Sequence, residues 1–507
     1  MKKTNIYKAM ALGLAFVSMA FWFSSCKKDK NSDPAPTTNS GTVVVQDSIS
    51  GNVHWTADKH YLLKGWIYVV NGATLTIDPG TVIKGDKESK AALIVERGAK
   101  IYAVGSAAQP IIFTSNQPAG SRNYGDWGGV ILCGKAKTNW VAAKKDGTTT
   151  LDPGVGQVEG GPRSLYGGSD DNDNSGTLQY VRIEFGGVAF SPNNEVNGLT
   201  LCAVGTGTTI DHVQISYSGD DAIEWFGGAV NTKYMIAHRS WDDDFDNDCG
   251  FTGHLQFGMV LRDPQAADYS GSHSIESDSR NENSTALPLT SPVFANITMV
   301  GPLTSPAYNG YNTNYVCGAI LRRASAASIM NSLIIGYPSG IIFEDNLSKG
   351  STANNLLGPD SLAQIRNTAI VGYPSYAQAL LYHIDDNHSA PNPVTGDADT
   401  TNVFGSSAGP YTYASAMKDK FYATEGLSTK LTNPFNLTSP NFVPTSSSVV
   451  VNGSLNAGWS SARLQSSFFD KTANYVGGFN YTGLNTDNWA TGWTNFDPQT
   501  ADYGSAY

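Results

Sequence analysis

Short apolar runs, four to eight residues long and bounded by glycine, asparagine or aspartate, recur along most of this chain. Within them Val, Ile, Leu and Thr alternate with polar residues, the period of a half-buried β-strand, and helical spacing is almost absent. The runs also repeat. GATLTIDPG from Gly72 is echoed by GAKIYAVG from Gly98, and VRIEFGG from Val181 by AIEWFGG from Ala222. NITMVG, NSLIIG and NTAIVG start at Asn296, Asn331 and Asn367, and the last two continue as GYPS. Repeats of roughly 22 to 36 residues, each holding two or three short strands, suit a solenoid better than propeller blades of about 40 to 50 residues. The pattern predicts an all-β, single-stranded, right-handed parallel β-helix over 46–400, with coils stacked about 4.8 Å apart.

The flanks read differently. Lys2, Lys3 and Lys8 precede an apolar run from Ala9 to Phe23 that is shorter than the roughly 20 residues of a membrane helix. The run ends in FSSC. Residues 1–25 therefore read as a lipoprotein signal peptide, Cys26 as the lipidated residue, and 26–45 as a flexible tether. The first coil, over 41–65, would cap the stack. Beyond residue 400 the repeats fade, one helix is expected around Ala414 to Tyr422, and 401–507 forms a C-terminal extension. Its aromatic residues, among them Phe468, Phe469, Tyr475, Phe479, Trp489, Trp493 and Phe496, are expected to pack on the helix or cap it.

Composition narrows the function. The 53 glycines and a charged fraction of 15% fit an all-β chain with many turns. Loss of residues 1–25, which carry three lysines and no acid, would move the net charge from −11 to −14. With no basic cluster, nucleic acid is excluded as a partner. Cys133, Cys202, Cys249 and Cys317 are too widely spaced for a zinc motif, and buried free thiols are expected.

The motifs LTIDPGTVIKG, WGGVILCGKA, DNSGTLQYVRIEFGG, GDDAIEWFGG, WDDDFDNDCGFTG and WATGWTNFDP together resemble a family of outer-membrane lipoproteins with a pectin-lyase-like right-handed parallel β-helix. The resemblance covers nearly the whole chain after the signal. It implies the fold and a lipid-anchored place at the outer membrane, on either side, and carries no catalytic residue with it.

The acids hold the candidate chemistry. WDDDFDNDCGFTG, from Trp241, follows SGDDAIEWFGG, from Ser218, and Asp242 lies 22 residues after Asp220, close to one coil. In register, carboxylates of neighbouring coils would lie about 5 Å apart. Raised pKa values, a cation or intervening bases must then relieve them. The nearby bases are Arg182, His212, His238, Arg239 and Arg262. Hard oxygen ligands point to calcium at two places, Asp244, Asp246 and Asp248, and an EF-hand-like D-x-D-x-S-G at Asp171, Asp173 and Ser175. In that second loop the twelfth position is Arg182 rather than an acid. Asx turns are the competing explanation for both. An enzyme would instead use Asp220 or Asp221 against Asp243 or Asp244, as in an inverting glycosidase. GDDAI resembles the acidic pair of polygalacturonases, but their Gly-His-Gly turn and Arg-x-Lys clamp are missing. A uronate lyase would need Arg239 or Arg262 as base. A binding or surface-organising module, for a glycan or an outer-membrane protein partner, is the leading expectation. YNGYNTNY offers Tyr308, Tyr311 and Tyr315 as stacking faces for it.

Overall fold

The ten-stranded sheet sets the architecture. Its strands run Trp66–Val69, Ala92–Val95, Val130–Cys133, Leu199–Val204, Ile223–Gly228, Phe245–Asp248, Ser272–Asp278, Tyr315–Arg322, Ser339–Glu344 and Leu380–His383, each hydrogen-bonded to the next in chain order. Every pairing in it is parallel. Between one rung and the next the chain travels through a 17-stranded sheet, also parallel, so each circuit is one coil of a parallel β-helix. The computed structural model describes residues 41–504 apart from 146, 161–162, 192–193, 280–285, 345–351, 353–354, 356–361, 373–379, 384–418, 423–429, 449 and 452–454.

Alternation within each strand fills the interior. In the ten-stranded sheet Leu93, Val130, Leu199, Ile223, Phe245, Ile275, Ala319 and Ile341 stack in one inward column, all but inaccessible to solvent. Trp225, two positions along, stacks on Phe251 with ring centroids 5.3 Å apart. Burial of such side chains is worth about 1.5–3 kcal/mol each and drives the winding.

The long strands of the larger sheet bend at one residue. Gln179 pairs with Asp211 and Val181 with Val213, skipping Tyr180 and His212. Those corner residues are left-handed: Tyr180 (φ 49°), His212 (53°), Tyr234 (54°), Phe257 (65°), Asn296 (54°), Asn331 (52°) and Asn367 (53°). A left-handed L-residue costs roughly 1–2 kcal/mol, so the column needs compensation. Stacking supplies part, with successive rings from Tyr180 to Phe257 at 4.4, 4.3 and 4.9 Å. The C-terminal segment adds further contacts along the same column. Asn367 Nδ2 donates to Asn456 O (3.0 Å), Asn331 Oδ1 accepts from Gly458 N (2.7 Å), and Asn296 Nδ2 donates to Tyr475 O (2.8 Å). Trp489 and Trp493 then meet the His212 ring edge-on, Tyr503 Oη donates to Glu184, and Lys84 Nζ donates to Gly504 O. The tail thus runs back along the stack from late coils to early ones.

Three boundaries differ from the sequence reading. Thr42–Val45, placed in the tether, pairs in parallel with His60–Leu63 and already belongs to the first coil. The helix expected around Ala414 to Tyr422 is not formed at its end. Lys420–Tyr422 is instead a strand on Ala369–Val371, because that apolar edge needs a partner; the rest of that helix lies outside the described residues. The ladder therefore extends past residue 400. Residues 1–25 and Cys26 also lie outside the described residues. Among the described residues no helix is long and apolar enough to cross a membrane.

Candidate functional site: an acidic ladder on the outer face of the ten-stranded sheet

The outward column of the ten-stranded sheet changes character midway. It reads Ile94, Ile131, Thr200, Glu224, Asp246, Glu276, Ile320, Ile342 through consecutive rungs. Early apolar members are roofed by side chains from the inserted loops, including Val158, Tyr166 and Val196. After Thr200, three stacked carboxylates separate the apolar members at the two ends of the column. At the turn leading into these strands a second acidic set joins them. Asp221 Oδ1 accepts from Asp243 N (2.8 Å), and Asp243 Oδ1 accepts from His273 N (2.5 Å), so Asp221, Asp243 and His273 follow one another across three coils. Asp242 N bonds Asp220 O (3.4 Å), and Ser270 and Ser272 Oγ donate to the Asp242 carboxylate, both at 3.0 Å. The predicted 22-residue register is therefore the observed one.

Three groups bring ligand atoms within 4.8 Å of one another: Asp220, Asp221 and Asp242; Asp221, Glu224 and Asp246; and Asp243, His273 and Glu276. Asp221 and Glu224 are buried, whereas Asp220, Asp242 and Asp246 are half-buried at the opening. Asp246 Oδ1 is shielded from solvent and has no hydrogen-bond partner. Among the described residues, no lysine, arginine or histidine forms an ion pair with Asp220, Asp221, Glu224, Asp242 or Asp246. Burial first, and then the neighbouring carboxylates, push all five well above the usual carboxylate range. Glu159 and Glu195, from the inserted loops, add to this negative field.

The other end of the ladder is neutralised. Arg322 engages Glu276 and Asp278, and Arg323 engages Asp278. His273 Nδ1 lies 3.1 Å from Asp243 Oδ1 and 3.4 Å from Glu276 Oε2. Burial opposes its charge, but Asp243 and Glu276 prevail and push His273 up to about 10.

The bases named from sequence serve elsewhere. Arg182, His212 and His238 lie on strands of the other sheet. Burial, with Arg239 beside it, holds His238 down to about 3, so it carries no charge there. Arg239 is committed to Asp263 and the Tyr217 hydroxyl. Arg262 is fully buried on Asp244 Oδ1 at 3.0 Å. Neither arginine is a lyase base, since both are held charged by their partners.

Several expected ligands are not brought together. Asp244 points into the Arg262 pair and bonds Ser240 and Ser274, because the strand begins only at Phe245 and Asp244 belongs to the preceding turn. It joins neither the predicted ion ligands nor the catalytic set, whereas Asp220, Asp221 and Asp243 do meet at the face. Asp248 accepts from the adjacent Cys249 N and is in none of the three groups; Asp246 alone of that trio is. In the other loop Asp171 is claimed by Lys137, both by Nζ (2.5 Å) and by its N–H (3.1 Å), while buried Asp173 accepts from Ser175 (3.3 Å). Those three side chains bond to neighbouring protein groups rather than converging. Tyr315 is buried, with its hydroxyl on Asp263 O, so it offers no stacking face. Tyr308 and Tyr311 are half-exposed with rings 6.5 Å apart. Cys133, Cys202, Cys249 and Cys317 are all buried.

Sequence reasoning missed His273 and Glu276. Their signal was the strand SHSIESD, which repeats the FDND rung 30 residues on rather than 22. The longer coil hid the echo.

Neither a search of curated proteins nor one of solved structures returned a match. A family profile described as a pectate-lyase-like beta helix domain matches residues 47–381. That span contains the whole acidic ladder and most of the stacked coils, so the chain belongs to the pectate-lyase-like β-helix domain family.

Proposed function

We propose that this protein is a binding module, exported and lipid-anchored through Cys26 at the outer membrane, whose acidic ladder holds calcium and, through it, a glycan or a surface-protein partner. One observation carries this reading: Asp221, Glu224 and Asp246 crowd within 4.8 Å, the last two directly opposite each other in parallel register. Like charges directly opposite one another destabilise a sheet, and a hard divalent cation with oxygen ligands removes that cost. Aromatic rings beside the opening favour a sugar as the outer ligand. Trp241, exposed, precedes Asp242, and Tyr269, exposed, precedes Ser270, which donates to Asp242. Tyr308 and Tyr311 add a further stacking face.

A glycan screen on the full-length chain in detergent, run in calcium and in chelator, tests this. Binding is expected only in calcium, and not by the Asp221→Asn/Asp246→Asn variant. Glycan binding of equal strength in chelator would contradict the calcium bridge.

A polysaccharide-active enzyme is the second reading, favoured by the burial of Asp220 and Asp221 among other carboxylates, which raises their pKa values in the direction a general acid needs. Against it, Asp244 is consumed by Arg262. The nearest carboxylate group is also tighter, within 4.8 Å, than the roughly 6.5–9.5 Å that an inverting reaction needs.

A further inference from the structure

We propose that Asp243, His273 and Glu276 form a second metal site, different in chemistry from the oxygen-only groups beside it, that takes a transition-metal ion such as zinc or manganese(II). The donor set points there. Calcium takes oxygen ligands, whereas imidazole with carboxylates suits zinc and its first-row neighbours. The spacing agrees. His273 Nδ1 is 3.1 Å from Asp243 Oδ1 and 3.4 Å from Glu276 Oε2. Ligand atoms held at about 2.1 Å around a tetrahedral or octahedral ion are about 3.0–3.4 Å from each other.

The surrounding bonds hold these atoms in place, as outer partners of metal ligands do. Arg322 takes Glu276 Oε1, which turns Oε2 toward the imidazole. The His273 N–H binds Asp243 Oδ1, so ligand and backbone are fixed together. His273 is 1% exposed and meets the two carboxylates through Nδ1, so a metal ion bound there displaces the Nδ1 proton and takes over its role between them. Three protein ligands leave a coordination position open beside half-buried Glu276, where an outer ligand can bind directly. The proposal stands independently of the calcium reading, since it uses none of Asp220, Asp221, Glu224, Asp242 or Asp246.

Cobalt(II) is the probe. Untagged full-length protein in detergent, saturated with calcium, is titrated with cobalt while its visible absorption is followed, and zinc is then added in competition. One cobalt per chain is expected, displaced by zinc. His273→Gln should weaken cobalt binding at least 100-fold, and Asp221→Asn/Asp246→Asn should leave it unchanged while abolishing the calcium response. Cobalt X-ray absorption on the wild-type protein needs no variant to fold and should show one histidine nitrogen among oxygens. An all-oxygen shell, cobalt binding that calcium abolishes, or full binding by a folded His273→Gln variant would overturn the proposal.

Discussion

Arg262→Ala lowers the unfolding free energy by about 3–5 kcal/mol, the usual penalty for removing one partner of a buried ion pair. Arg262 and Asp244 are both fully buried, 3.0 Å apart, and the guanidinium also bonds Tyr315 Oη (3.1 Å) and Ser240 Oγ (3.0 Å). Even beside Arg262, burial pushes Asp244 up to about 6. Without the arginine its charge has no compensation. The pair also pins the turn that delivers Asp242 and Asp243 to the ladder, so the variant should lose calcium binding together with stability. Arg262→Met/Asp244→Leu, which removes both charges, should recover most of the loss. Urea unfolding followed by tryptophan fluorescence measures both variants. A loss below about 1 kcal/mol for Arg262→Ala would show that the pair does not hold the turn.

In chelator, stability falls as pH rises from about 5 to 8, opposite to the trend of a protein stabilised by ordinary carboxylate pairs. The sign follows from the ladder. Asp220, Asp221, Glu224, Asp242 and Asp246 have folded pKa values above their unfolded ones, so the native state binds more protons. Stability then declines between the unfolded values, about 4, and the raised folded ones. All five groups are shifted in the same direction, so their contributions to the slope share one sign. His273, raised to about 10, reinforces the decline, because its contribution is complete below about 6.5 and is lost as pH approaches its folded value. Calcium should flatten the slope. Urea midpoints at pH 5, 6, 7 and 8 in chelator decide the matter, and a midpoint that climbs over that range contradicts the unpaired ladder.

Much of the fold was legible because a solenoid writes its period into the chain. The NITMVG, NSLIIG and NTAIVG echoes correspond to Asn296, Asn331 and Asn367, the left-handed corners on which the tail docks. The 22-residue offset between Asp220 and Asp242 survived as register because that coil carries no insertion. The next coil holds the 263–271 loop, and the same column advanced 30 residues, which concealed His273 and Glu276. Local spacing misled where long-range partners intervened. Asp171 looked like a calcium ligand until Lys137, 34 residues earlier, claimed it. Asp244 matched the alternating D-x-D-x-D spacing, but in the turn before the strand it faces Arg262, 18 residues later, instead of Asp246. Charge neutralisation by partners distant in sequence left no trace in the motif itself.

The central claim is that the ladder is a calcium site, and calorimetric titration of the full-length protein with calcium tests it most directly. Micromolar binding that disappears in Asp221→Asn/Asp246→Asn is the predicted result, with the variant folded and, in chelator, more stable than the wild type because two repelling charges are gone. A flat titration of folded wild-type protein, or undiminished binding by the variant, would contradict it and leave the stacked carboxylates relieved by protonation alone.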